Sequence, residues 1–235
     1  MHGTKVHRML PLHGMETQRI PTSVYAEMTP NPAVMKFVAD RDLVPLGHQL
    51  EFRSKSEAML CSPLATELFN FPFVTGVFMS GAMVSVTKDD SLGWEMIVQQ
   101  LRTYITEWLM EHPDAVEADK VEAAIQSLGQ PSPSTAAAPQ GTAPNPDVAF
   151  IAEEDIVPTE HDDMIKQLLE EYVRPAVEQD GGAIDFKAFK DGTVYVHLRG
   201  ACAGCPSSTQ TLKGGIEQLL KSKMDVVEEV VAAGV

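Results

Sequence analysis

The sequence predicts an α+β fold of two small α/β-layer domains joined by a Pro-rich linker. Three observations predict it. Strand-like alternation and helix-spaced apolar stripes recur in both halves of the chain. Between them, residues 129–147 set Pro131, Pro133, Pro139, Pro144 and Pro146 among Ser, Thr, Ala and Gln, a composition that buries no core. The 235 residues, 44% of them hydrophobic, suffice for two ordinary cores. The expected divisions are a disordered extension over 1–22, a first domain over 23–114, a flexible Pro/Ala-rich and acidic linker over 115–160, and a second domain over 161–235.

Residues 1–14 carry His2, His7 and His13 with Lys5 and Arg8. They lack the apolar core of a secretory signal and the Arg and Ser content of an organelle transit peptide, so they read as an unstructured extension. From Tyr25, an extended segment and a Pro-Asn-Pro turn lead to a strand with Val34, Lys36 and Val38. A second strand spans His48–Arg53. Ser62 reads as the N-cap of a short helix with Pro63 at its first position. Val74–Met79 and Met83–Lys88 form a hairpin about Ser80-Gly81. A long helix from about Leu92 to Met110 follows, its apolar stripe running from Trp94 to Leu109. Cys61 beside the short helix reads as a small buried hydrophobe.

The second domain reads as α-β-β-α-β. Its first helix starts after Asp162-Asp163, carries Ile165, Leu168, Leu169, Tyr172, Val173, Ala176 and Val177 as an unbroken apolar stripe, and is expected to kink at Pro175. Asp180-Gly181-Gly182 ends it. Strands at Ala183–Phe189 and Thr193–Leu198 flank a tight Asp191-Gly192 turn. Then comes Gly200-Ala201-Cys202-Ala203-Gly204-Cys205-Pro206-Ser207, between that strand and a helix marked by Leu212, Ile216, Leu219 and Leu220. A third strand over 225–231 closes the domain. Cys202 and Cys205 thus sit in a strand-to-helix turn, where the positive end of a helix favours thiolates. Gly200 and Gly204 leave room for close approach. The loop is expected to hold both thiols outward, as a metal or redox site. Lys213-Gly214-Gly215 suggests a bend or close packing in the following helix.

A net charge of −15 excludes the basic face that nucleic acid requires. No run approaches the roughly 18 apolar residues of a membrane span. Three cysteines, two of them in Cys-x-x-Cys, make no disulfide framework and point to a reducing compartment, taken as the cytoplasm. There is no P-loop, no His-Glu-x-x-His and no Gly-x-Ser-x-Gly, so the chain is not expected to be an enzyme. His197 reads as a surface residue.

YAEMTPNPAVMKFV, CSPLATELFNFPFVTGVFMSGAMVSVTKDD, IKQLLEEYVRPAVEQDGGAIDF and VHLRGACAGCPSSTQTLKGGIEQLL together resemble the NifU-like, or Nfu, family of iron–sulfur cluster carriers over almost the whole chain. The resemblance implies a 4Fe–4S cluster bound by Cys202 and Cys205, shared between two subunits of a homodimer, and delivered to apo iron–sulfur client proteins after receipt from an upstream scaffold or donor. It assigns no role to Cys61. A cluster takes four thiolates and one loop offers two, so a symmetric dimer completes the set. The alternatives are a structural zinc on the same thiols, a dithiol/disulfide oxidoreductase and a structural disulfide.

Overall fold

The computed structural model describes residues 19–128, 148–149, 157–203 and 206–233. The expectations for residues 1–18, for the Pro-rich stretch 129–147 and for Gly204 and Cys205 lie outside these. Within them the chain is α+β, one sheet to each domain.

In the first domain β1 (Val24–Met28), β2 (Val34–Ala39), β3 (Gln49–Phe52), β4 (Val74–Ser80) and β5 (Met83–Lys88) form an antiparallel sheet of order β1-β2-β5-β4-β3. The helices are α1 (Lys55–Ala58), α2 (Pro63–Leu68) and α3 (Trp94–Glu111). α2 starts as its sequence dictates: the Ser62 hydroxyl accepts from the Ala65 N–H at 3.1 Å, and Pro63 occupies the first turn. α3 buries Ile97, Leu101, Ile105 and Leu109, a 3.6-residue stripe, against Phe37, Phe52, Val84 and Val86 of the sheet.

Two expected boundaries shift. The first domain does not end at 114. A 3-10 turn (Ala118–Lys120) and α4 (Val121–Leu128) follow, and Ala115, Val116, Val121 and Ala124 are buried in the same core. Val121 and Ala124 share one helix face, but the stripe is short and set among acids, so its periodicity is weak. Nor are residues 19–22 part of a loose extension. Ile20 N–H donates to Met110 O at 2.9 Å, Arg19 pairs with Glu111, and Thr22 is buried.

The second domain comprises α5 (Asp162–Leu168), a π turn (Leu169–Val173), α6 (Arg174–Gln179), β7 (Gly182–Lys190), β8 (Thr193–Gly200), α7 (Pro206–Lys223) and β9 (Glu229–Ala233). The expected kink at Pro175 takes the form of that π turn. Proline supplies no N–H, and the turn before it widens by one residue. β7 and β8 pair antiparallel through Asp191 and Gly192, both at positive φ, as a tight hairpin turn requires. β9 lies parallel to β8, a pairing that needs the α7 crossover. β6 (Val148–Ala149), inside the expected linker, adds a parallel edge to β9. α7 runs unbroken through Gly214 and Gly215, and a Cβ at either would meet nothing within 4 Å, so neither bend nor close packing is found there.

The first sheet is covered on both faces. Away from α3, one cross-strand row runs Glu27–Lys36–Ser85–Phe78–Glu51 through all five strands. Four of its members reach the second domain, and the fifth, Glu27, pairs with one of them. Lys36 Nζ pairs with Glu27 and donates to Gln179 O at 2.6 Å. Ser85 Oγ donates to Gly181 O at 3.0 Å, and Glu51 Oε1 accepts from Gly200 N–H at 3.3 Å. Phe78 and Met83 cluster with Ala183, apart from the main core of either domain.

Candidate metal centre

The site begins where β8 ends. β7 and β8 put Gly182 opposite Gly200, and Ala201 N–H donates to Gly181 O at 3.2 Å, so the loop leaves the sheet across the α6–β7 corner. Gly200 must be glycine on two counts. Its φ is +61°, and a Cβ there would lie 2.8 Å from Gly181 O and 2.9 Å from the Phe78 ring. The close approach inferred from the sequence is therefore to Gly181 of its own domain and to Phe78 of the first.

Cys202 is not held outward. It is 6% exposed and packs with Leu198, Ile216 and Leu220 in the second core. Its Sγ lies over Gly182, where a Cβ would come within 2.6 Å of the sulfur. Burial, with the Asp180 carboxylate nearby, pushes the thiol up to about 12. The expectation of easy ionisation from a helix N-terminus is corrected accordingly. α7 starts at Pro206, beyond the reach of a dipole effect confined to its first turn, and desolvation of the thiolate dominates. Cys205, predicted as the second ligand, lies outside the described residues. Among the described residues no group of three or more His, Cys, Asp or Glu is placed to hold a metal.

Cys61 is fully buried in the first core, and burial raises its thiol to about 11. It is not brought near the loop's core cluster. His197 on β8 is half-buried rather than a plain surface residue. Burial first, then the Lys187 and Arg199 cations, lower it to about 4, so it is neutral near pH 7.

One residue at the site has no counterpart in the sequence reading. Asn31, in the turn between β1 and β2, is 5% exposed and reaches across to the loop. Its Nδ2 donates to Ala201 O at 3.1 Å and to Ala203 O at 3.2 Å, the carbonyls of the residues on either side of Cys202. Its Oδ1 accepts from Ala33 N–H at 3.0 Å, which fixes the amide's orientation. A polar residue between two prolines was the available signal, but it read as a turn.

The family model for the N-terminal domain of the scaffold protein Nfu/NifU matches residues 24–112, and that for the NifU-like domain matches 165–231. The chain is 31% identical over 207 residues to a protein of Drosophila virilis named as a mitochondrial NFU1 iron-sulfur cluster scaffold homolog, covering 88% of this chain and 60% of that protein. It is 34% identical over 217 residues to the mitochondrial NifU-like protein 4 of Arabidopsis thaliana, covering 91% of this chain and 65% of the relative. It thus spans under two thirds of these two relatives' lengths. Their mitochondrial names overturn the expected cytoplasmic location. Unoxidised thiols mark a reducing compartment but do not say which one. A NifU-like protein of Schizosaccharomyces pombe is 32% identical over 212 residues, 88% of this chain and 71% of its own. With both domain models matched in order and that relative covered over most of its length, the chain belongs to the NifU-like (Nfu) family.

Proposed function

We infer that this chain carries iron–sulfur clusters, binding a 4Fe–4S cargo through Cys202 and Cys205 of two copies and passing it to apo-protein clients. The observation that carries the reading is the placement of Cys202 in the β8–α7 loop of a NifU-like domain. A relative named as an iron-sulfur cluster scaffold homolog supports it. One loop offers half of the four thiolates a cluster takes, so two loops complete the set about a dimer axis. The chain acts as a carrier, not as an enzyme, and the cargo comes from an upstream scaffold or donor. In handover, a client thiolate bonds to iron as a loop thiolate leaves and takes up a proton. No electron is transferred, and a site split between two chains opens more readily than a cage within one.

Anaerobic reconstitution with ferrous iron and sulfide, followed by light scattering on the eluting protein, tests this. The expected result is a monomer without iron and a dimer with one 4Fe–4S cluster, since each chain brings half the ligands and metal binding drives association. Cys202→Ser or Cys205→Ser abolishes loading. A monomer holding a full cluster overturns the shared site.

A further inference from the structure

We propose that the first domain is a cap on the thiol loop, holding Cys202 turned inward when docked and lifting before the thiol can reach a ligand. The carrier reading supplies only what the released loop receives; the lock itself stands on the geometry. Asn31 is a clamp of unusual economy. Its single NH2 group gives one hydrogen to the carbonyl of Ala201 and one to the carbonyl of Ala203, the residues before and after Cys202. The Ala201 bond holds the peptide unit before Cys202, the unit after it is held by Ala203 N–H donating to Gly200 O at 3.1 Å, and the Ala203 O bond pins the residue that follows. Swinging this stretch of loop so that Sγ leaves its seat over Gly182 carries Ala201 and Ala203 with it, and so breaks both Asn31 bonds. The clamp is itself rigid: Asn31 lies between Pro30 and Pro32, Trp94 Nε1–H donates to Pro32 O at 2.9 Å, and the Asn31 amide is fully used.

The sheet face beneath the clamp is built to fit. Ser85 bonds Gly181 O, Phe78 lies where a Cβ of Gly200 would intrude, and Glu51 takes the Gly200 N–H. Gln49 adds bonds from Arg199 at 2.7 Å and to Glu178 at 3.3 Å, so the seam is mostly polar, and the apolar patch of Phe78, Met83 and Ala183 is small, which suits a contact that opens. Phe78 and Met83 also stand outside the first domain's core, so the face can separate without unfolding the domain that carries it.

The test is alkylation of Cys202 by iodoacetamide at fixed pH, followed by intact mass, in the full-length chain carrying Cys61→Ser and Cys205→Ser. Cys202 is then the sole thiol. Asn31→Ala, which removes the clamp, and Phe78→Gln, which weakens the face without touching the main core, are each compared with that parent. Both are expected to raise the alkylation rate at least tenfold while the circular dichroism spectrum stays native. Should Asn31→Ala unfold the chain, Phe78→Gln alone decides. Native variants that react within twofold of the parent overturn the cap. No cluster enters this readout, so a chain that fails to load one overturns the carrier reading and leaves the cap to be judged on alkylation alone.

Discussion

Gly200→Ala separates two costs that the structure places on one atom. The added Cβ sits on a backbone at φ +61°, a left-handed conformation that costs a residue with a side chain about 1–2 kcal/mol. It also lies 2.8 Å from Gly181 O and 2.9 Å from Phe78, an overpacking of the kind that costs about 1–3 kcal/mol. The sum is roughly 2–5 kcal/mol, which in a domain of this size lowers Tm on the order of 10 °C or more. Truncating Phe78 to Ala relieves the ring contact but not the backbone angle. A double-mutant cycle, read by thermal melts followed by circular dichroism, therefore shows a favourable coupling of about 1 kcal/mol between Gly200→Ala and Phe78→Ala, with the rest of the loss remaining. If Gly200→Ala melts within about 1 °C of the parent, or if the two losses simply add, the packing argument is wrong.

Gly215→Ala in α7 should stabilise by about 0.5–1 kcal/mol in urea titrations, because the helical position is exposed and an added methyl meets nothing; a loss of stability would show that the backbone there is not ordinary helix. Cys61→Ser should lose about 1–3 kcal/mol by placing a hydroxyl in a fully buried apolar site, yet keep the iron content of the parent after reconstitution; reduced iron would make Cys61 a ligand. Apo protein should weaken in alkali. The Cys202 thiol stands near 12 in the fold against an ordinary 9.0, so the folded state holds a proton that the unfolded state releases. The contribution is full below pH 9 and is lost as pH rises from 9 toward 12, with a slope of up to about 1.4 kcal/mol per pH unit. Urea titrations from pH 8 to 10.5 should show a shallower slope in Cys202→Ser, and equal slopes would refute the assignment.

Local signals in this sequence were strong wherever one element decides its own geometry. Ser62-Pro63 announced a helix start, Asp191-Gly192 a hairpin, and the α3 stripe a helix buried on one side. The position of the thiol loop between β8 and α7 was equally legible, because alternation gives way to helical spacing on either side of it. The direction of Cys202 was not legible. It depends on Gly182 from a neighbouring strand and on Asn31 from a turn 171 positions upstream of the cysteine, and no local pattern reports a contact between domains. For the same reason Lys36, Ser85 and Phe78 read as ordinary strand residues. On a sheet with one open face they would meet water, and only the second domain makes their burial necessary.

Gly181 and Gly182 look interchangeable on paper, and they face opposite tasks. A methyl on Gly181 would strike Ser85 Oγ at 2.8 Å, on the side of the first domain, whereas one on Gly182 would strike the Cys202 sulfur at 2.6 Å. A single peptide plane joins them, and its carbonyl is the one that Ser85 and Ala201 both hold. Any rocking of that plane shifts the seat of the outer domain and the floor under the sulfur in the same movement. The two glycines thus form a mechanical pivot at the non-covalent seam between the two domains. Stiffening either one would be felt at both ends of it, so a screen of substitutions at this pair would read the tension between the two bodies rather than the tolerance of one turn.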